Sequence, residues 1–231
     1  NPSNINFRAN IDALKQLGVT DIISISAVGS LKDEIRPGSF VIISQYVDKT
    51  LKRANTFFDK DLIAHVSLAK PNSLSLEKIC SEILTNKQYT FHENITYVAI
   101  EGPQLSTIAE SKVNHAQGFD VVGMTNMPEA RIAREAEIRY QSLGMVTDYD
   151  AYNLEGDSID VSRIIEVMKQ MTKKSENVIK DLIGLFDVYA MDDDPILTCL
   201  DQSIVSDLKN VSDKTKQDLS FILRRYTKKK N

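Results

Sequence analysis

Residues 21–30, DIISISAVGS, give the clearest indication of the fold class of this chain. This stretch is rich in β-branched residues and is closed by Gly29, a pattern typical of a buried strand. Residues 5–17 before it have apolar side chains at helical spacing, and Gly18 stands where such a helix ends. A helix that leads into a buried strand is the repeating unit of α/β proteins, so this stretch predicts that class of fold.

The same alternation of helix and strand continues along the chain after residue 30. Further strands are predicted at residues 40–47, 95–100, 120–124 and 140–147. Helices are predicted at residues 74–84, 107–117 and 128–136, with a long amphipathic helix from about residue 160 and shorter ones at 203–210 and 213–226. We therefore expect an α/β fold with a mixed, largely parallel central sheet flanked by helices. No repeat or low-complexity linker divides the sequence, which predicts a single domain over residues 1–231 with a helical C-terminal segment at 190–231.

Composition narrows the class of protein. The 231 residues are 42% hydrophobic, which suits a real core, and their net charge of -4 disfavours nucleic-acid binding. Two cysteines, Cys80 and Cys199, cannot build a disulfide framework and indicate a reducing compartment. No apolar run approaches the roughly 18 residues of a membrane helix. We therefore expect neither nucleic acid nor a membrane as partner, and a cytoplasmic location with the nucleus as a second compartment.

Small and hydroxylated residues follow the predicted strands at the points where they end. In open α/β sheets ligands bind beyond the carboxyl ends of the strands. Small and hydroxyl side chains at Ser26-Ala27 and Met124-Thr125 let backbone N–H groups and hydroxyls approach an oxyanion closely, which indicates a phosphate site without a P-loop lysine. The alternative for the first segment is a tight turn that needs Gly29.

Two carboxylates, Asp148 and Asp150, follow the last predicted strand two residues apart, so their side chains share a face in extended geometry. They are either turn or cap residues, or a pair of acceptors for a nitrogen heterocycle. If Asp148 is shielded from water, its pKa rises and it can share a proton with a leaving group. The three histidines are widely separated and no CxxC or HxxxH spacing occurs, so we expect no metal site.

Several motifs in one order resemble the 5′-methylthioadenosine phosphorylases of the trimeric purine nucleoside phosphorylase family, the fungal members above all. They are NPSNINFRANIDAL at 1–14, SAVGSLKDEIRPGSFVI at 26–42, VDKT at 47–50, EGPQLSTIAES at 101–111, VVGMTNMPEARIAREAEI at 121–138 and MVTDYDAY at 145–152. The resemblance implies a nucleoside phosphorylase-like fold, a homotrimer, and cleavage of 5′-deoxy-5′-methylthioadenosine by orthophosphate to adenine and 5-methylthioribose 1-phosphate. It implies a place in methionine and purine salvage and no cofactor, orthophosphate being a co-substrate.

The resemblance also assigns roles to individual positions. The positions implied for phosphate begin with Ser26, Ala27 and the adjoining Val28. Thr125 is implied as a second hydroxyl that contacts phosphate, and Met124 as a residue under the ribose. Asp148 matches the aspartate at the purine N7 and N6 edge, and Asp150 its partner at the exocyclic amine. The residues implied for the 5′ pocket are Val161, Ile164 and Ile165 as an apolar wall, and His65 as a side chain that reaches a neighbouring subunit.

Departures from the family pattern leave alternatives open. Leu105 stands where a phenylalanine usually stacks on the purine, Gly123 where an asparagine is common, and Ile108 where an arginine is common. The family's first strand, its glycine-rich phosphate loop and a later Arg-His pair have no counterpart, so we expect the chain to lack an N-terminal part. The alternatives are a catalytically impaired phosphorylase-like subunit or scaffold, and a 6-oxopurine nucleoside phosphorylase, which Asp148 and Ser106 disfavour.

Overall fold

The computed structural model describes residues 1–153, 161–185 and 194–230, the side chains of 153, 161, 229 and 230 excepted. Five strands are arranged around a closed barrel in the order β1-β4-β3-β2-β5. The strands are β1 (Asp21–Ser30), β2 (Phe40–Asp48), β3 (Phe91–Ala99), β4 (Val121–Gly123) and β5 (Arg139–Tyr149). The α-helices are α1 (Phe7–Gln16), α2 (Leu74–Asn86), α3 (Ile108–Ala116), α4 (Asn126–Glu135), α5 (Val161–Leu185), α6 (Asp213–Asp218) and α7 (Arg224–Lys230).

The strand pairings confirm the predicted mixed, largely parallel sheet. β1 runs parallel to β5 along its whole length, and β2–β3 and β3–β4 are also parallel. The antiparallel pairs β1–β4 and β2–β5 close the barrel, which the sequence pattern did not predict. Closure places the short strand β4 against the carboxyl end of β1, which is also paired with the carboxyl end of β5, because Gly29 lies opposite both Val122 and Asp148.

Helices cover the barrel on two sides and bury separate apolar clusters. On one side α2 and α5 pack on β2 and β5, around Phe40 and Leu143. On the other side α1 and α4 share a cluster with the C-terminal segment, in which Ile222 is fully buried. Among the described helices, none combines the length and apolarity needed to cross a membrane. That residues 1–231 form a single domain stays a prediction.

Local boundaries differ from the sequence pattern in several places; β3, for example, begins at Phe91, four residues before the predicted start. β1 does not end at Gly29 but continues to Ser30, with a register shift against β5 at that point. α4 begins at Asn126, before Pro128, and has a kink at Met127. The helix predicted over 213–226 is interrupted between α6 and α7, and that predicted over 203–210 is only a 3-10 turn at Leu208–Asn210, which follows another at Pro195–Gln202.

Candidate functional site

The two predicted carboxylates lie at the barrel rim beside Gly29. A side chain at Gly29 would approach the Oδ2 atom of Asp148 to 3.5 Å and the Cβ atom of Asp150 to 3.6 Å. These are ordinary van der Waals distances, whereas the same side chain would lie only 3.2 Å from Val122 Cγ1, so glycine at 29 favours the close approach of β4 to β1. The φ angle of Gly29 is not in the left-handed region, so this position is not a left-handed turn. The backbone N–H of Asp150 donates to the carbonyl of Ser30 at 2.8 Å, so the end of β1 fixes the position of the second carboxylate.

Both carboxylates are shielded from solvent, and this changes the acidity of Asp148. Burial raises the pKa of Asp148 to about 6, a hydrogen bond from the Thr147 hydroxyl opposes the shift, and the charge of Asp150 adds to it. Asp150 is only 6% exposed, and within the described residues its buried Oδ2 atom has no hydrogen-bond partner. Because a buried acceptor without a donor is costly, this atom is suited to receive an N–H from a bound molecule.

The predicted phosphate segments are joined through Asn126. Ser26 Oγ donates to Asn126 Oδ1 at 3.3 Å, and Asn126 directly follows Thr125 at the start of α4. Ser26 is half-buried, whereas Ala27 is exposed. The Val28 side chain instead packs in the barrel core, so only its backbone lies at the rim. Ser26 thus lies within β1 and not at its end, and the structure brings it to the segment that follows β4.

Tyr97 explains why residue 123 is glycine. A side chain at Gly123 would overlap the hydroxyl of Tyr97, which is fully buried in β3. The same hydroxyl accepts the backbone N–H groups of Thr125 and Asn126 at 3.1 and 3.4 Å. A glycine at 123 therefore lets a tyrosine hold the backbone of the predicted phosphate segment. Next to it, the Met124 side chain packs against Gly102, which joins the rim segments after β3 and β4.

A buried arginine that the sequence analysis missed holds both of these segments. The Arg53 side chain is 1% exposed, and its Nη1 donates to the carbonyls of Met124 and Met127 at 2.5 and 2.6 Å. Its Nη2 donates to the carbonyls of Glu101 and Ile100 at 2.9 and 3.3 Å, and Nε to the Glu101 carboxylate at 3.2 Å. The sequence around Arg53 does not predict this role, because the carbonyl groups that it binds belong to segments distant in sequence.

Glu101 extends this support to the N-terminal segment. Its carboxylate accepts the backbone N–H groups of Leu51 and Lys52 at 2.8 and 3.2 Å and the Ser3 hydroxyl at 2.5 Å. These hydrogen bonds, that from Leu51 first, lower its pKa to about 2. Glu101 is thus a fixed anion that ties residues 1–4 and the loop before Arg53 to the rim.

The remaining predicted positions lie farther from these contacts. Leu105 is 48% exposed and lines a cleft of about 660 Å³ together with Lys49, Glu101 and Val113. His65 is exposed, and its backbone N–H donates to Ser203 in the C-terminal segment.

Three predicted residues lie in the first turn of α5. Ile164 is half-buried and Ile165 is exposed. The side chain of Val161 lies outside the described residues. Within residues 1–153, 161–185 and 194–230, no three His, Cys, Asp or Glu side chains are grouped to hold a metal ion, and the expectation that the protein needs no cofactor stays a prediction.

Comparison of this sequence with known proteins assigns the chain to a family. Residues 1–184 match the phosphorylase superfamily. The S-methyl-5′-thioadenosine phosphorylase of Rhodospirillum rubrum is 47% identical over 179 residues, which are 78% of this chain and 61% of the relative. That of Koribacter versatilis is 40% identical over 228 residues, which are 97% of this chain and 76% of the relative. The predicted special likeness to fungal members stays a prediction.

Solved structures agree with this family. A methylthioadenosine phosphorylase from an antarctic soil metagenomic library has a TM-score of 0.90 at 38% identity, covering 96% of this chain and 78% of that one. Methylthioadenosine phosphorylase from Schistosoma mansoni in complex with adenine has a TM-score of 0.78 at 32% identity, covering 81% and 72%. The chain spans 61%, 58% and 62% of the first three curated relatives it matches.

Proposed function

Because the chain belongs to the phosphorylase superfamily and, within it, to the S-methyl-5′-thioadenosine phosphorylase family, we propose that it cleaves 5′-deoxy-5′-methylthioadenosine with orthophosphate. The products are adenine and 5-methylthioribose 1-phosphate, and the role is methionine salvage. One observation carries the proposal: the Asp148–Asp150 pair lies beside Gly29, at the end of the strand that also carries Ser26. A base and an oxyanion can therefore be bound by one barrel rim.

The carboxylate pair gives the purine side of the reaction. As the glycosidic bond breaks, negative charge flows into the purine, and Asp148, with its pKa near 6, donates or shares a proton at N7. The open Oδ2 atom of Asp150 accepts from the exocyclic amine. A carbonyl at that position accepts rather than donates, so this carboxylate favours adenine over 6-oxopurines.

The hydroxyl segments give the phosphate side. Orthophosphate bound by Ser26, Ala27 and Thr125 lies below the ribose, stabilises the cationic C1′ of the transition state, and then attacks it. Met124 packs under the ribose, and Arg53 holds the backbone of that segment through the Met124 carbonyl. Arg53 is a positioning residue here, since its donors point to protein carbonyls.

The remaining assignments concern the pocket edges and the assembly. Leu105 and Gly123 border the base, and Val161, Ile164 and Ile165 form the wall for the 5′-methylthio group. A homotrimer lets His65 complete the 5′ pocket of a neighbouring copy. No metal or organic cofactor takes part, and the protein works in the cytoplasm and the nucleus.

A second candidate is a catalytically impaired subunit of the same family. The exposure of Leu105 favours it, because a half-exposed aliphatic side chain gives a purine less stacking surface than the aromatic ring it replaces.

An ultraviolet assay of adenine release from methylthioadenosine, with and without phosphate, tests the proposal. We expect phosphate-dependent release that Asp148→Asn reduces at least about 100-fold, the usual contribution of a general acid. Inosine serves as the comparison substrate and tests the 6-oxopurine alternative. Absence of turnover favours the impaired subunit, and full turnover by Asp148→Asn excludes Asp148 as the N7 partner.

A further inference from the structure

A chain of hydrogen bonds leads from Ser26 at the rim into the protein interior. Ser26 Oγ donates to Asn126 Oδ1 at 3.3 Å, and Asn126 Nδ2 donates to Tyr140 Oη at 3.1 Å. Tyr140 Oη then donates to Glu129 Oε1 at 2.8 Å. All three donations run the same way, from the rim towards the carboxylate, so Glu129 sets the direction of the chain.

The groups in this chain of hydrogen bonds are shielded from water, so the direction of donation is fixed by the protein. Asn126 and Tyr140 are almost completely buried, so neither can exchange its partner for water. The groups that face Glu129 are Tyr140 from β5, Ser24 from β1 and Tyr46 from β2. Burial raises the pKa of Glu129, and the hydrogen bonds from Tyr140 and Ser24 oppose that shift.

An ionised Glu129 keeps the Ser26 proton pointing inward. A carboxylate can only accept, so Tyr140 must donate to it and accept from the amide nitrogen of Asn126. The amide oxygen then faces Ser26 and takes its hydroxyl proton. In this state Ser26 presents a lone pair to the rim, and a phosphate oxygen placed there meets an acceptor instead of a donor.

A protonated Glu129 allows every step to reverse, because its carboxyl group can donate as well as accept. Its carboxyl O–H donates to Tyr140 Oη, and Tyr140 donates to the amide oxygen of Asn126 after that amide turns over. The amide nitrogen then donates to Ser26 Oγ, which leaves the Ser26 proton free to point to the rim. One proton enters from solvent and stays on Glu129, while the hydroxyls and the amide keep their own protons and only rotate.

We propose that Glu129 is a positioning residue that couples phosphate binding at Ser26 to the uptake of one proton. The coupling passes through Tyr140 and Asn126, and by linkage it is reciprocal: bound phosphate favours the protonated carboxyl as much as protonation favours phosphate. This inference rests on the proposed function, because it takes Ser26 as a phosphate ligand.

Titration calorimetry with inorganic phosphate tests the coupling on the full chain. Repeating the titration in two buffers of different ionisation enthalpy gives the number of protons taken up on binding. Glu129→Gln is the matched variant, since its amide donates to Tyr140 as the protonated carboxyl does and the ionisation of phosphate itself is unchanged. We expect the wild type to take up more protons than the variant, and the variant to bind phosphate about tenfold more tightly at pH 8.

Two further variants separate the chain from a general structural effect. Ser24 offers a second path, because it hydrogen-bonds to Glu129 and accepts from Asn126 Nδ2 at 3.5 Å. Tyr140→Phe combined with Ser24→Ala removes both links, so Glu129→Gln placed in that background is expected to leave phosphate affinity unchanged. If this combination does not fold, Ser26→Ala serves the same purpose, because it removes the hydroxyl that the chain orients.

Equal proton uptake by wild type and Glu129→Gln overturns the inference, and so does an undiminished effect of Glu129→Gln in either background. Absence of saturable phosphate binding by the wild type contradicts the proposed phosphate site itself, and this inference falls with it. Phosphate binding without the difference in proton uptake contradicts only the coupling, so the two failures are distinguishable.

Discussion

The carboxylate side of the site and the Leu105 side are held in different ways. Asp148 and Asp150 are fixed by a strand end, by the carbonyl of Ser30 and by close contact with Gly29. Leu105 lies on a loop between strand and helix and is half-exposed beside an open cleft. The strand-borne part of the site is thus fixed by backbone pairing, whereas Leu105 in the loop-borne part is left half-exposed at the cleft.

The largest expected effect comes from removing the arginine that holds the strand-borne part. Arg53→Met leaves four carbonyls without this donor and removes one hydrogen bond of the Glu101 carboxylate, and we expect a loss of about 3–5 kcal/mol in the free energy of unfolding. Denaturant unfolding measures it. Arg8→Met is the control, since Arg8 pairs with Asp59 at the surface and such pairs contribute about 0–1 kcal/mol. Similar losses for the two variants would show that Arg53 is not a structural centre.

A smaller effect is expected from the pH dependence of stability. The pKa of Asp148 is raised from 3.8 to about 6 on folding, so the native state binds more protons than the unfolded chain between these values. Stability from this group is present below pH 3.8 and is lost as pH rises through 6, by about 1–3 kcal/mol. Thermal unfolding between pH 4 and about pH 7 should show this decline in the wild type and a weaker one in Asp148→Asn. Identical slopes would place Asp148 in water instead of at a shielded rim.

The smallest effect on stability is expected on the loop-borne side. Leu105→Phe should change the free energy of unfolding by no more than about 0.5 kcal/mol, because the side chain is half-exposed. It should nevertheless lower the KM for methylthioadenosine several-fold, about 1 kcal/mol of added stacking. Steady-state kinetics measure the change, with Leu17→Phe on a remote exposed position as control. An unchanged KM would show that Leu105 does not contact the base of the bound substrate.

The sequence predicted the parts of the fold that depend on local pattern. The α/β class and the principal helices and strands followed from periodicity and from glycine positions. Barrel closure did not, because the short β1–β4 and β2–β5 pairings join segments distant in sequence without any local signature.

The supporting residues of the site were missed for the same reason. Arg53, Tyr97 and Glu129 act through buried hydrogen bonds to backbone or side chains far along the chain. Gly123 appeared only as a departure from a family pattern, and its reason became visible once the Tyr97 hydroxyl was located against it. The roles assigned to the rim residues stay predictions that the assays above decide.

The short pairing between β1 and β4 has one more consequence. β1 and β4 are joined by two residue pairs, Gly29 opposite Val122 and Ser30 opposite Val121, and this pairing lies next to Asp148. A nucleoside or anion that contacts both β1 and β4 would hold these two strands together. Its occupancy would therefore slow amide exchange around the entire circumference of strands, well beyond the atoms it contacts.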